Sequence, residues 1–144
     1  MKERFSVHLT IGLLVINEKN EILMMKRCNT GYMDGMYGFI SGHVEEGESL
    51  KQAMAREALE ETGIKIKEED IETICMIRRS DNDNYINFFL KCNKFEGTPT
   101  IMEKDKCDDL RWIDINNIPE NTITAEKRAI YNYKNGIAFD EYGF

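Results

Sequence analysis

Six glutamates fall between Gly42 and Ile64: Glu45, Glu46, Glu48, Glu57, Glu60 and Glu61. Carboxylates this close repel one another. At i,i+4 on a helix, as at Glu57 and Glu61, a like-charge pair costs a few tenths of a kcal/mol. A bound divalent cation is the natural compensation, and all-oxygen donors suit Mg²⁺, with Mn²⁺ as a substitute. Ser49 and Gln52 have capping-box spacing, and Gly63 stands where a left-handed cap ends a helix. The sequence therefore predicts a helix over Leu50–Thr62. At about 100° per residue, Glu57, Glu60 and Glu61 share an arc of about 100°. Ala55, Ala58, Leu59 and Thr62 lie roughly opposite, so docking through that small-residue face is expected. Leu50, Ala53 and Met54 lie near the acidic side, and loop residues should cover that end. Arg56 could pair with Glu48 or another loop glutamate and tie the loop to the helix. Three helical glutamates alone more often form a solvated face; the full spacing changes that balance.

The flanking elements follow from pattern. Ser6–Ile16 reads as a long, mostly buried strand, and Glu21–Arg27 as a second. The turn Asn17–Asn20 between them predicts a hairpin. Cys28–Met36 is a loop, and Tyr37–Ile40 a short strand entering Ser41-Gly42. Ile71–Arg78 and Tyr85–Asn93 are strands joined by a turn at Ser80–Asn84. Leu110–Ile113 is a short strand with the only tryptophan, Trp112. A last helix is expected over Ala125–Lys134, with Gly136 just past its end. Strands interleaved with two helices make an α/β or α+β fold.

Composition narrows the class. A chain of 144 residues is expected to be a single domain over 1–144, and one of that size buries roughly 70% of its unfolded surface. The net charge of −7 speaks against a nucleic-acid-coating or membrane-surface role, though not against a phosphorylated small molecule. Cys28, Cys75, Cys92 and Cys107 form no C-x-x-C pair, which argues against zinc and for reduced thiols. The N-terminus has no secretory pattern and no long apolar span, so a cytoplasmic location is expected.

Read in full, the stretch runs Gly42, five residues, Glu48, seven residues, then Arg56-Glu57-Ala58-Leu59-Glu60-Glu61-Thr62-Gly63-Ile64. This resembles the Nudix box, GX5EX7REUXEEXGU, with U a bulky aliphatic residue; Ala58 is small for the first U. Arg27, Asn29–Gly35 and Tyr37–Glu45 before it, and Glu103–Trp112 after it, resemble the MutT-like subgroup. Ile40 and Ser41 depart from that subgroup's usual LPAGH or LPGGH entry. The resemblance implies a Nudix-type α/β/α sandwich with a mixed β-sheet and a catalytic helix. It implies Mg²⁺-dependent hydrolysis of a nucleoside diphosphate linked to another group, X. Carboxylates hold the cation, which neutralises the diphosphate and lowers the pKa of a bound water; a glutamate serves as base. By resemblance the metal set is Glu57, Glu61, Glu60 and the Gly42 carbonyl, and the base is Glu60 or a later-loop glutamate, Glu103 being the best candidate.

Outside the box, Arg27 could hold a substrate phosphate. Arg78 or Arg79 could face the cleft; Arg78 is placed with the substrate-binding residues. Phe39, Tyr32 or Trp112 could stack on a base, although core packing is the commoner role. His43 could support the site, and His8 is expected at the core edge. The markers of ADP-ribose and dinucleoside polyphosphate hydrolases are missing after the box, which leaves a (deoxy)nucleoside triphosphate as the favoured substrate. The partner is thus a small-molecule nucleotide, with monomer and homodimer both open. Two other readings stand beside hydrolysis. A non-catalytic nucleotide-binding module usually lacks box glutamates, and all are here. An isoprenoid diphosphate isomerase needs a cleft cysteine in a motif that none of these cysteines matches.

Overall fold

The long apolar run near the N-terminus becomes the central strand. A computed structural model describes residues 2–144. In it β1 (His8–Val15) lies between β4 (Ile40–His43) and β6 (Tyr85–Cys92), and residues 11–15 are all buried. A strand covered on both faces needs such an unbroken apolar run. Beyond β6 come β5 (Glu72–Arg79) and then β8 (Phe139–Tyr142). The β1–β6 and β5–β8 ladders are parallel and the others antiparallel, so this five-stranded sheet is mixed. A second, antiparallel sheet has the order β3 (Tyr37–Gly38), β2 (Glu21–Arg27), β7 (Cys107–Asp114).

Helices α1 (Leu50–Thr62) and α2 (Thr124–Asn135) cover opposite faces of the mixed sheet. Leu13, Val15 and Leu90 pack with Ala53, Met54 and Ala58 of α1. Leu14, Ile77 and Phe89, whose side chains alternate to the other face, pack with Ala125, Ala129 and Ile130 of α2. This is the expected α/β/α sandwich.

Three expectations change. The turn after β1 forms, with the Asn17 N–H donating to Glu21 O at 2.9 Å and Ile16 bridging to Ile22. The two strands then part into different sheets instead of continuing as a hairpin. The reason is burial: Leu23 and Met25 serve one core, Ile22 and Met24 the other. Strand β2 therefore takes partners of its own on both edges. The docking face of α1 is also rotated from that expected. Leu59 is 47% exposed, while Ala53, Met54, Ala58 and Thr62 are buried. Met54 is fully buried, and the face it shares with Ala53 and Ala58 carries Glu57 and Glu61 inward with it. Finally, the Trp112 strand begins earlier, at Cys107.

Candidate active site

Both ends of α1 are fixed by local bonds. Ser49 Oγ accepts from the Gln52 N–H at 3.1 Å, and Gln52 Oε1 accepts from the Ser49 N–H at 2.9 Å. At the other end Gly63 has φ 77°, and its N–H donates to Leu59 O. The preceding loop is clamped to the helix by Arg56. Its Nε and Nη2 donate to the two Glu48 oxygens at 2.7 and 2.9 Å, and Nη2 also reaches His43 O at 3.2 Å. Such a two-pronged ion pair fixes direction as well as distance. It holds the Glu48 carboxyl down at about 2, the Arg56 bond being the main cause. The remaining prong, Nη1, donates to Glu57 at 3.0 Å and Glu60 at 3.3 Å.

The glutamate cluster sits where α1 crosses β4. Gly42 pairs with Ile11 of β1, and the Glu57 side chain lies directly on it. A Cβ at Gly42 would come within 2.9 Å of Glu57 Cγ and collide with the carboxyl itself. One turn on, Glu61 Oε2 accepts the Ser41 N–H at 3.2 Å. Burial pushes the Glu57 carboxyl up against the pull of Arg56. Burial, and then the charge of Glu57, push Glu61 well above the usual carboxylate value, with Glu103 adding to the rise. Two half-buried carboxylates that resist joint ionisation, beside a glycine cradle, fit a hard cation. As they stand, no three acidic, histidine or cysteine side chains converge on one point among the described residues. Arg56 draws Glu57 and Glu60 to one side and Ser41 holds Glu61 on the other.

These groups line one wall of a cavity of about 660 Å³. It receives Glu57, Glu60, Glu61, Arg56, Glu103 and Gly42, and also Arg27 and Phe39. Arg27 Nε donates to Tyr32 O at 2.8 Å. Glu60 and Glu103 keep substantial exposure, with Glu103 3.8 Å from Lys106. Phe39 is 4% exposed and meets Phe89 edge-on, so it is chiefly a core residue that shows one edge to the cavity.

Arg78 is not among the cavity residues. It donates to Arg79 O and Asn84 and lies over the rings of Phe5 and Phe144. Arg79 takes the expected place. Alternation along β5 turns it to the α2 side, where it donates to Asn87, Asp81 and the Tyr32 hydroxyl. Sequence reasoning also missed Lys26, Lys106, Asn87 and Glu126, all on the cavity wall. Lys106 was legible as a cation within the acidic run Glu103–Asp109; Lys26 carried no such signal. Glu126 carried no signal, being a helix residue like many others. His8 sits at the exposed end of β1, against Asp83 at 2.8 Å. Trp112 packs on Phe95, away from the cavity.

The comparisons agree with the fold. The family model described as NUDIX domain matches residues 6–133. A Bacillus subtilis (strain 168) protein, provisionally named 8-oxo-dGTP diphosphatase, is 26% identical over 124 residues, 86% of this chain and 78% of that one. NudC of Shigella flexneri, an NAD-capped RNA hydrolase, is 35% identical over 66 residues, which span 46% of this chain and 25% of NudC. A crystal structure of a MutT NUDIX hydrolase from Burkholderia pseudomallei shares the fold, with a TM-score of 0.82 at 22% identity, covering 89% of this chain and 98% of that one. The chain belongs to the NUDIX domain family. It is a Nudix-type hydrolase acting on phosphoanhydride bonds.

Proposed function

We propose that the protein is a Mg²⁺-dependent pyrophosphohydrolase of nucleoside diphosphates linked to X. The favoured case is a (deoxy)nucleoside triphosphate, giving a monophosphate and pyrophosphate. The observation that carries this reading is the seating of Glu57 on Gly42 beside half-buried Glu61, with both carboxyls raised first by burial and then by neighbouring glutamates. Glu57, Glu61, Glu60 and the Gly42 carbonyl would hold the cation. When bound, the cation neutralises diphosphate charge and makes a coordinated water more acidic.

The chain's own residues do the rest. Arg27, Lys26 and Lys106 stand on the cavity wall as counter-charges for the phosphates. Arg56 holds the Glu48 loop and steadies Glu57 and Glu60. Water oxygen adds to phosphorus, the anhydride P–O bond breaks with X leaving on the bridging oxygen, and the water's proton passes to Glu60 or Glu103, both on the cavity wall. Cys107 reaches the cavity wall, but its thiol is pushed up by burial and donates to Asp109 O at 3.1 Å. That disfavours a thiolate and with it the isomerase reading.

The test is a panel of nucleoside triphosphates, nucleotide sugars and dinucleotides with Mg²⁺, scored for phosphate after coupling to a pyrophosphatase or phosphatase. Turnover should vanish with a chelator, and Glu61→Gln should abolish it in a folded protein. Wild-type rates in Glu61→Gln would remove Glu61 from the metal set.

A further inference from the structure

Residues 28–36, between β2 and β3, reach the cavity wall through Thr30 and Tyr32. Two non-glycine residues there, Asn29 and Met33, hold left-handed backbone, with φ of 54° and 53°. Such conformations persist where the surrounding bonds over-determine them. Some of those bonds lie within the loop. Asp34 accepts from the Thr30 and Gly31 N–H groups at 3.0 and 2.9 Å and from Thr30 Oγ at 2.6 Å. From outside, two arginines take hold of Tyr32. Arg27 Nε donates to its carbonyl at 2.8 Å, and the Arg27 guanidinium lies 5.5 Å from its ring centre. Arg79 Nη2 donates to its hydroxyl at 3.2 Å, joining the loop to β5.

The two arginines differ in freedom. Arg79 is 5% exposed, gives its other nitrogens to Asn87 and Asp81, and covers the Tyr85 ring. It is a fixed point on the mixed sheet. Arg27 spends only Nε, and its two terminal nitrogens have no hydrogen-bond partner among the described residues. Charge does not account for this arrangement. Glu126 of α2 is buried against Gly38, and its Oε2 has no hydrogen-bond partner. Burial raises Glu61 and Glu126, and the Arg27 charge pulls against that rise at both, so Arg27 stands between the glutamate cluster and α2. An unpaired carboxyl is the stronger acceptor, yet both arginines bond Tyr32 instead. The tyrosine aims Arg27, and Arg79 fixes the tyrosine.

We propose that Tyr32 is a positioning residue for phosphate binding: it ties Arg27 to Arg79 and holds the free Nη1 and Nη2 of Arg27 ready for two oxygens of a substrate phosphate. This rests on the reading of the cavity as a nucleotide site with Arg27 as a counter-charge. A planar fork meets a phosphate through two parallel N–H groups only when its direction is right. An untied arginine gives up rotamer freedom on binding, and that cost lowers affinity. A phosphate gripped alike before and during hydrolysis makes the tie felt in KM and not in kcat.

The experiment measures kcat and KM for the four deoxynucleoside triphosphates with Mg²⁺ in wild type, Y32F, R27A and the double variant. Calorimetry with their α,β-methylene analogues, which cannot be cleaved between those phosphates, follows binding apart from turnover. Y32F keeps the ring and the carbonyl and loses only the bond to Arg79. Its KM should rise about 3- to 10-fold for every base, with kcat within about twofold and a melting temperature within a few degrees of wild type. Arg79→Lys, with a shorter reach to the hydroxyl, cuts the tie from the other side and should raise KM in the same uniform way. R27A should raise KM too, and Y32F added to it should change KM by less than about 1.5-fold, since no fork is left to aim. An unchanged KM in folded Y32F, a rise confined to one base, or full additivity with R27A overturns the positioning role and leaves hydrolysis standing. Analogue binding weakened by Y32F only when Arg27 is present, without turnover by wild type, supports Tyr32 and overturns the hydrolase reading. Neither turnover nor analogue binding in wild type overturns both.

Discussion

Gly42→Ala probes the most crowded contact of the site. Gly42 is a strand residue without a positive φ, so alanine suits its backbone. The difficulty lies only in space. The new Cβ would stand 2.9 Å from Glu57 Cγ and closer still to the carboxyl. Ordinary carbon contacts lie near 3.5–4.0 Å, so the Glu57 head must retreat by roughly 1 Å. Displacement of that size in a catalytic constellation lowers kcat about 100-fold, or about 2.7 kcal/mol of barrier. Stability should suffer less. Overpacking costs about 1–3 kcal/mol, and the lost freedom of the unfolded chain returns about 0.4–1 kcal/mol. The variant should thus stay folded with a melting point lower by about 10 °C at most. Steady-state kinetics on the preferred nucleotide and a thermal melt measure the two effects. Glu57→Asp, one methylene shorter, draws the carboxyl back from the new Cβ. In that background Gly42→Ala should add little, the mark of two residues acting through one contact. Wild-type kcat in Gly42→Ala, or full additivity with Glu57→Asp, would refute the reasoning.

Arg79→Ala should destabilise the protein by about 2–3 kcal/mol in urea titration, since it strands buried Asn87 and removes a cation from over the Tyr85 ring. It should also raise KM, whereas Arg78→Ala should leave KM unchanged. Acid sensitivity should trace to Glu48. Its folded-state value, about 2 against an ordinary 4.5, lies below the unfolded one, so its contribution is present above pH 4.5 and fades as pH falls toward 2. The gap in urea midpoint between wild type and Glu48→Gln should therefore shrink over that window; a constant gap would contradict the Arg56 clamp. Glu126 should act with opposite sign. Its raised value means stability is full below pH 4.5, falls as pH climbs from there toward about 7, and levels off above it. Chemical denaturation at pH 5 and pH 8 should show that slope flattened in Glu126→Gln.

Much of the site was legible because it is local. The capping box at Ser49 and Gln52, the left-handed Gly63 and the Arg56–Glu48 pair join residues at most eight positions apart. Their spacing alone fixes who can reach whom on a helix and its entry loop. The box spacing likewise marked Gly42, Glu57, Glu60 and Glu61. No helix among the described residues is long and apolar enough to cross a membrane.

Tertiary packing decided the rest. The turn at Asn17–Asn20 could be read, but not that β1 and β2 enter different sheets, because ladder partners are chosen by burial on two faces. The arc of glutamates could be drawn, but not its rotation toward the sheet, which the burial of Met54 dictates. Two adjacent arginines are equivalent on paper until the pairing of β5 with β6 turns Arg79 inward and Arg78 outward. Glu126 and Gly38 lie too far apart in the chain for any local rule to join them. They meet because α2 closes over the mixed sheet, leaving a carboxyl with no partner of its own at the edge of the cavity.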